Sequence, residues 1–442
     1  MRKIMLALTM SAAVVSIISC DNDQKKAKLY DLSVTVTLND ELAEEGVEFA
    51  DLSEVTISLV DIASGAITKS DAEGETTVLK VKGGDYNVVV SAKIAVEGET
   101  PVMCNGSVSN IACYGPATAN VELAKAGNSG LVIKEIYFCG VMSYYHNDGF
   151  VEIYNNSDQV QYLDGIILSY GQQPAITTTP TANQWADDAV LGDRYALDGP
   201  VVYFPGDGDD YPLEPWTSTV VAATAINHAG RELSKEEGKE DVASPVDLSN
   251  ADWEISLGES GLQASDTDTP NVPNLTFGYW PKGYADFYPT NRSGQAFIMA
   301  RPVLAEGQTF QNFIDNAENK VIIPGYRAYP ETILGMMGAY LLAIPQSWVV
   351  DAIDIVMAPE ANRVKVLNTK DDMGMVWVNG EAEEGSEEAF VAGQYCGKSL
   401  RRKVAALTAE GNPIYKDTNN SSEDFAMGGA TPTPGVHPTN VD

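Results

Sequence analysis

Short runs in which apolar residues take every second position constrain this chain more than any other feature. Leu32, Val34, Val36 and Leu38 alternate with polar residues, and Val55, Ile57 and Leu59 repeat the pattern. A period of two puts one side of an extended segment into a core and the other into water, which a helix cannot do. Turn residues punctuate these runs at Ser64-Gly65, Ser70-Asp71-Ala72-Glu73-Gly74 and Gly83-Gly84-Asp85, the last leading into Tyr86, Val88 and Val90. That spacing predicts a small β-sandwich over residues 28–124. Residues 125–130 are rich in small side chains and read as a linker. Beyond it, Leu131 to Phe138, Phe150 to Ser157 and Tyr162 to Leu168 open a second, larger β domain over 131–429. Thr332 to Ala343 fits a helix or a buried strand equally well. Residues 430–442, with Pro432, Pro434 and Pro438, are expected to be an extended, mobile tail.

The N-terminus carries an address. Arg2 and Lys3 precede an uncharged apolar run from Ile4 to Ile18, then Ser19 and Cys20. This is the pattern of a secretory signal peptide over residues 1–19. Fifteen residues at ~1.5 Å each reach roughly 23 Å, short of a ~30 Å hydrocarbon core. A cysteine after the small residue resembles a lipoprotein cleavage site, with Cys20 as the acylated N-terminus and 20–27 as a tether. Cleavage removes Arg2 and Lys3 and no acid, so a formal charge of −34 becomes more negative still. So acidic a surface repels phosphate backbones and argues against nucleic acid as a partner. Export also gives the remaining cysteines, Cys104, Cys113, Cys139 and Cys396, an oxidising setting. Four cysteines allow three pairings, which the sequence does not rank; in one, Cys104–Cys113 would close a loop around the turn signal Asn105-Gly106, leaving Cys139–Cys396, and buried thiols are the alternative.

Several motifs resemble known modules. The order Val55-Thr-Ile-Ser-Leu59, Ser70-Asp-Ala-Glu-Gly74 and Val81-Lys-Gly-Gly-Asp-Tyr86 looks like a carboxypeptidase-regulatory or prealbumin-like domain. Such a resemblance implies a spacer module. Ile133-Lys-Glu-Ile136, Phe150-Val-Glu-Ile-Tyr-Asn155 and Leu163-Asp-Gly165 resemble the lamin tail domain, an immunoglobulin-like sandwich. The closing segments Ser399-Leu-Arg-Arg-Lys403, Asp417 to Phe425 and Pro432-Thr-Pro-Gly435 strengthen that likeness. Together with the acidic run after Cys20, the assembly is similar to a Bacteroidota-type outer-membrane lipoprotein family of uncharacterised function. The expected architecture is therefore all-β: a prealbumin-like sandwich, then a lamin-tail-like sandwich elaborated by residues 169–398.

Residues able to carry chemistry are few. The three histidines are His146 in a polar loop, His228, read as a hydrogen-bonded structural residue, and His437 in the tail. No phosphate-cradling glycine loop and no metalloprotease or hydrolase motif is present. No cofactor is implied. Asp207, Asp209 and Asp210 in a glycine-rich turn could offer oxygen ligands to calcium or be a solvated turn. The segment Phe277-Gly-Tyr-Trp-Pro-Lys-Gly-Tyr-Ala-Asp-Phe-Tyr288 suits an irregular loop. Its Tyr279, Trp280, Tyr284 and Tyr288 could stack a sugar, meet a partner protein or fill a core. These features predict a non-catalytic, lipid-anchored surface protein serving as an accessory binding subunit. The resemblance implies an outer-membrane receptor of a TonB-dependent uptake system, or a glycan, as its partner. An adhesin is the alternative, and a surface hydrolase a distant third.

Overall fold

The computed structural model describes residues 28–61, 67–94, 102–125, 130–138, 147–171, 185, 188–229, 232–233, 242–256, 268–280, 296–356, 365–369, 371–377, 397–426 and 430–442. Its elements are overwhelmingly strands, with only short helices.

The first sheet system is built from β1 (Leu29–Leu38), β2 (Leu52–Asp61), β3 (Ile67–Asp71), β4 (Thr76–Lys82), β5 (Gly84–Ile94), β6 (Val102–Cys113) and β7 (Ala117–Lys125). The strands run in the order β3-β2-β5-β6-β7-β1-β4. β7 joins two layers: Ala117 to Leu123 pair in parallel with β1, while Ala124 and Lys125 pair with β6. The alternation read in the sequence is the burial pattern. Leu32, Val34 and Val36 of β1 meet Ile57 and Leu59 of β2 and Tyr86, Val88 and Val90 of β5 in one core.

Cys104 and Cys113 correct an expectation. They sit near opposite ends of the single strand β6, nine residues apart, so at ~3.3 Å per residue they lie far beyond the ~7 Å that a disulfide can span. Both are buried thiols facing the core. Asn105-Gly106 is mid-strand and makes no turn. The glycine is required by close approach instead: a Cβ there would lie 2.0 Å from the carbonyl oxygen of Glu122 on β7. Cys139 and Cys396 lie outside the described residues, as does Cys20.

The second unit is also a sandwich. One sheet has five strands, ordered Trp253–Glu254, Ser218–Ala222, β9 (Phe150–Asn155), β8 (Leu131–Tyr137) and Leu400–Arg401. The other has six, ordered Thr276–Tyr279, Val201–Tyr203, Ile167–Tyr170, Ala296–Ala300, Val349–Val356 and Val376–Trp377. They face each other across a core that includes Ile133, Val151, Val221 and Trp253 from the first and Leu168, Val202, Phe297 and Ile353 from the second. Residues 169–398 thus supply five of the six strands of one sheet wholly or in large part, and two of the five in the other. They build the sandwich rather than decorate it. A third layer, the sheet of Arg194–Leu197, Tyr340–Pro345 and Lys320–Ile322, covers the outer face of the six-stranded sheet.

The ambiguous 332–343 segment holds both structures. Glu331–Met336 is a helix and Tyr340–Pro345 a strand. Gly338, at φ +59°, ends the helix: Ala339 N–H donates to Leu334 O at 3.1 Å and Gly338 N–H to Gly335 O at 3.3 Å. That bond pair is the Schellman termination, which needs a left-handed residue here.

Candidate functional site

The tail is not loose in this fold. Ser399 and Ala430 exchange backbone bonds, and Asp442 accepts from Val404 N–H at 2.8 Å. Between these ends the chain crosses the outer face of the five-stranded sheet, where three charged side chains are fully buried. Glu135 accepts from Ser399 Oγ and, at 3.1 Å, from Thr433 N–H. Its carboxyl pKa is raised, burial outweighing those bonds. Lys134 donates to Glu152 at 2.6 Å and to Val436 O at 2.7 Å, and Glu152 also accepts from Gly435 N–H at 3.1 Å. Buried charges are tolerable only when paired and hydrogen-bonded, and the tail supplies the missing partners.

Docking the tail creates a cleft of about 720 Å³. Its walls are the Trp216-Thr217-Ser218 turn, the 247–252 loop, the 411–413 turn and tail residues 434–439. Ser218 Oγ donates to Glu152 Oε1 at 2.5 Å and lies 3.2 Å from His437 Nε2. The hydroxyl's one proton is committed to the carboxylate, so the contact to His437 requires Nε2–H as donor. The tautomer follows: Nδ1 is the bare acceptor, and it has no hydrogen-bond partner among the described residues. Burial and the charge of Lys134 push the pKa of His437 down, which keeps the ring neutral. A serine pointing its proton at glutamate, beside a histidine with no orienting carboxylate, has the parts of a nucleophilic dyad in the wrong order. Trp216 sits beside it at φ +60°, a left-handed conformation that bulky residues rarely adopt. Its ring packs against Val132, Tyr154, Val404 and Tyr415.

The residues singled out in the sequence fall elsewhere. Asp207, Asp209 and Asp210 are exposed on a loop whose backbone turns inward onto Asp164. Gly208 and Asp210 N–H donate to one Asp164 oxygen at 3.0 Å each, and Tyr211 N–H to the other at 2.9 Å. Those bonds hold the Asp164 carboxyl below its usual range even against the burial that raises it. Among the described residues no cluster of acidic, histidine or cysteine side chains is arranged to hold a metal ion. Phe277 to Tyr279 belong to a strand, Thr276–Tyr279, paired with Val201–Tyr203 across a register shift, not to the irregular loop expected. Tyr279 is half-buried, its hydroxyl donating to Tyr340 O at 2.9 Å; burial lifts its pKa to about 12. Trp280 packs on the main core, edge-on to Tyr170 at 6.4 Å. Tyr284, Tyr288 and His146 lie outside the described residues. His228 is fully buried and its Nε2 lies 2.9 Å from Thr224 O, as its structural reading required.

The closing motifs build a second buried network. Arg402 donates to Asp351, to Asp417 at 3.3 Å, and to the carbonyls of Ile133 at 2.8 Å and Lys416 at 3.0 Å. Asp424 lies 3.7 Å from the same guanidinium. Three carboxyls share one arginine, and burial pushes Asp351 and Asp424 up to about 7. Sequence reasoning found these segments as motifs, but not the cleft, because His437 and Trp216 are 221 positions apart and neither has a local signature.

No curated protein matches the chain. Residues 214–433 match the family described as protein of unknown function (DUF4876), a span that starts at the Trp216 turn and ends in the tail. The crystal structure of a DUF4876 family protein from Bacteroides thetaiotaomicron is similar at 25% identity and a TM-score of 0.51, covering 92% of this chain and 98% of that one. The chain therefore carries a DUF4876 family domain, within a family of Bacteroidota type whose function is uncharacterised.

Proposed function

We propose that this protein is a non-catalytic lipoprotein of the outer membrane, anchored through Cys20, exposed at the cell surface, and acting as an accessory binding subunit beside an uptake receptor. The observation that carries the binding reading is the cleft. It has the size of a small-molecule site, yet its only serine–histidine contact is wired for structure rather than for proton transfer. The anchor rests on the signal pattern ending at Ser19; among the described residues no helix is long and apolar enough to cross a membrane.

The test has two parts. Cys20→Ser should give an unprocessed precursor or a soluble exported form, and a variant still processed and membrane-bound would remove the anchor. In intact cells the wild-type protein should be cleaved by added protease and should crosslink to an outer-membrane receptor. Protection from protease, or anchoring with no receptor crosslink, would sink the accessory-subunit reading.

A further inference from the structure

Building on the binding reading, we infer that the cleft between the Trp216 turn and the C-terminal tail takes a neutral saccharide. Three observations favour that class. The first is an imbalance of hydrogen-bonding groups. The carboxylate-bearing residues Asp247 and Asp252 line the cleft beside His437. Asp252 uses one oxygen on Val220 N–H at 2.8 Å. An occupant must therefore bring donors, as sugar hydroxyls do, while the amides of Asn250 and Asn412 at the same walls can donate to its oxygens.

The second observation is charge. With 62 acidic against 28 basic residues, and two carboxylates at the cleft, an anionic ligand is repelled and a neutral one is not. The third is Trp216. An indole held at φ +60° occupies a position that glycine or asparagine would fill without strain. Together with Pro413 and Pro438 it gives the cleft a flat apolar wall suited to the C–H face of a pyranose. Backbone strain of this kind gathers at ligand sites, where the side chain matters more than local comfort.

The test is calorimetric titration of the intact mature chain with neutral hexasaccharides of glucose, xylose and mannose, alongside polygalacturonate and spermidine. At least one neutral hexasaccharide should bind with Kd below about 1 mM. Trp216→Gly, which relieves the strained φ but removes a ring packed on Val132 and Tyr154, should weaken that binding at least tenfold, as should His437→Ala; Asp207→Asn, outside the cleft lining, should not. Near-ultraviolet circular dichroism establishes that each variant is folded. If a saccharide binds the two cleft variants as tightly as wild type, the cleft is the wrong site although the protein binds. If only polygalacturonate or spermidine binds, the ligand class is wrong. If no probe binds, the saccharide inference falls, and loss of receptor crosslinking in cells would remove the binding reading with it.

Discussion

Lys134 and Glu135 are neighbours on β8, yet an irregularity of the ladder between Ile133 and Glu135 turns both toward the tail, and both are fully buried. That is possible only because the tail covers this face, while Ile133 and Ile136 on either side of the pair face the six-stranded sheet. Lys134→Met leaves Glu152 buried without its cation and should cost about 3–5 kcal/mol in denaturant unfolding. A loss below about 1 kcal/mol would mean that Ser218 and Gly435 N–H satisfy Glu152 by themselves. The Arg402 cluster acts through pH. Asp351 and Asp424 are raised to about 7 in the folded chain, against about 4 when unfolded. The folded state therefore holds protons that the unfolded state has released, and the stability they give is lost as pH rises from about 4 through 7. The melting temperature should climb as pH falls from 8 to 6.5, before the depressed His437 begins to oppose it, and Asp424→Asn should flatten the climb. The depressed carboxyls of Asp164 and Asp188 do not compete in this window, because their contribution fades only as pH falls below about 4. None of this was legible beforehand: composition shows an excess of acid, but not which carboxyls three separate segments bring to one guanidinium.

Among the elements, the amphipathic strands of the first domain were readable and their exceptions were not. Leu32, Val34 and Val36 alternate because only one side of β1 meets a core. Asn105-Gly106 carries the same letters as a hairpin turn, yet the glycine answers to Glu122 on the neighbouring strand. A methyl group 2.0 Å from that carbonyl oxygen forces β6 and β7 apart. Gly106→Ala should destabilise the protein by about 1–3 kcal/mol, the usual cost of overpacking. A neutral result would show that β7 can shift. The proline-rich tail was misread for a related reason. Proline disfavours regular ladders, but it does not stop an extended segment from supplying N–H and C=O groups from residues between prolines. Thr433, Gly435 and Val436 do that here, to Glu135, Glu152 and Lys134.

At the scale of the molecule, two cores share no residue, and the chain passes between them through the linker whose last residue, Gly130, takes φ +66°. Among the described residues, a polar contact at Glu423 joins them. Ser58 Oγ of β2 donates to Glu423 at 2.7 Å, and Lys69 of β3 lies 3.2 Å from the same carboxylate. Glu423 belongs to the closing segment and also meets Lys416 at 3.2 Å, so it keeps a cation when the first domain is gone. Its depressed pKa has burial working against it and Ser58, Lys416 and Lys69 holding it down. A fragment spanning 130–442 should then fold alone. Of the described contacts it loses one neutral donor and one half-exposed lysine, worth about 1.5–3 kcal/mol for the hydrogen bond to the carboxylate and less than ~1 kcal/mol for the ion pair. In a domain of this size that is a fall of a few degrees in melting temperature. Calorimetry of the fragment should show one cooperative transition, and Glu423→Gln in the whole chain should lower stability by a similar amount. A broad, non-cooperative melt of the fragment would instead mean that the first domain is part of the larger fold, and that the Glu423 junction understates how the two halves depend on each other.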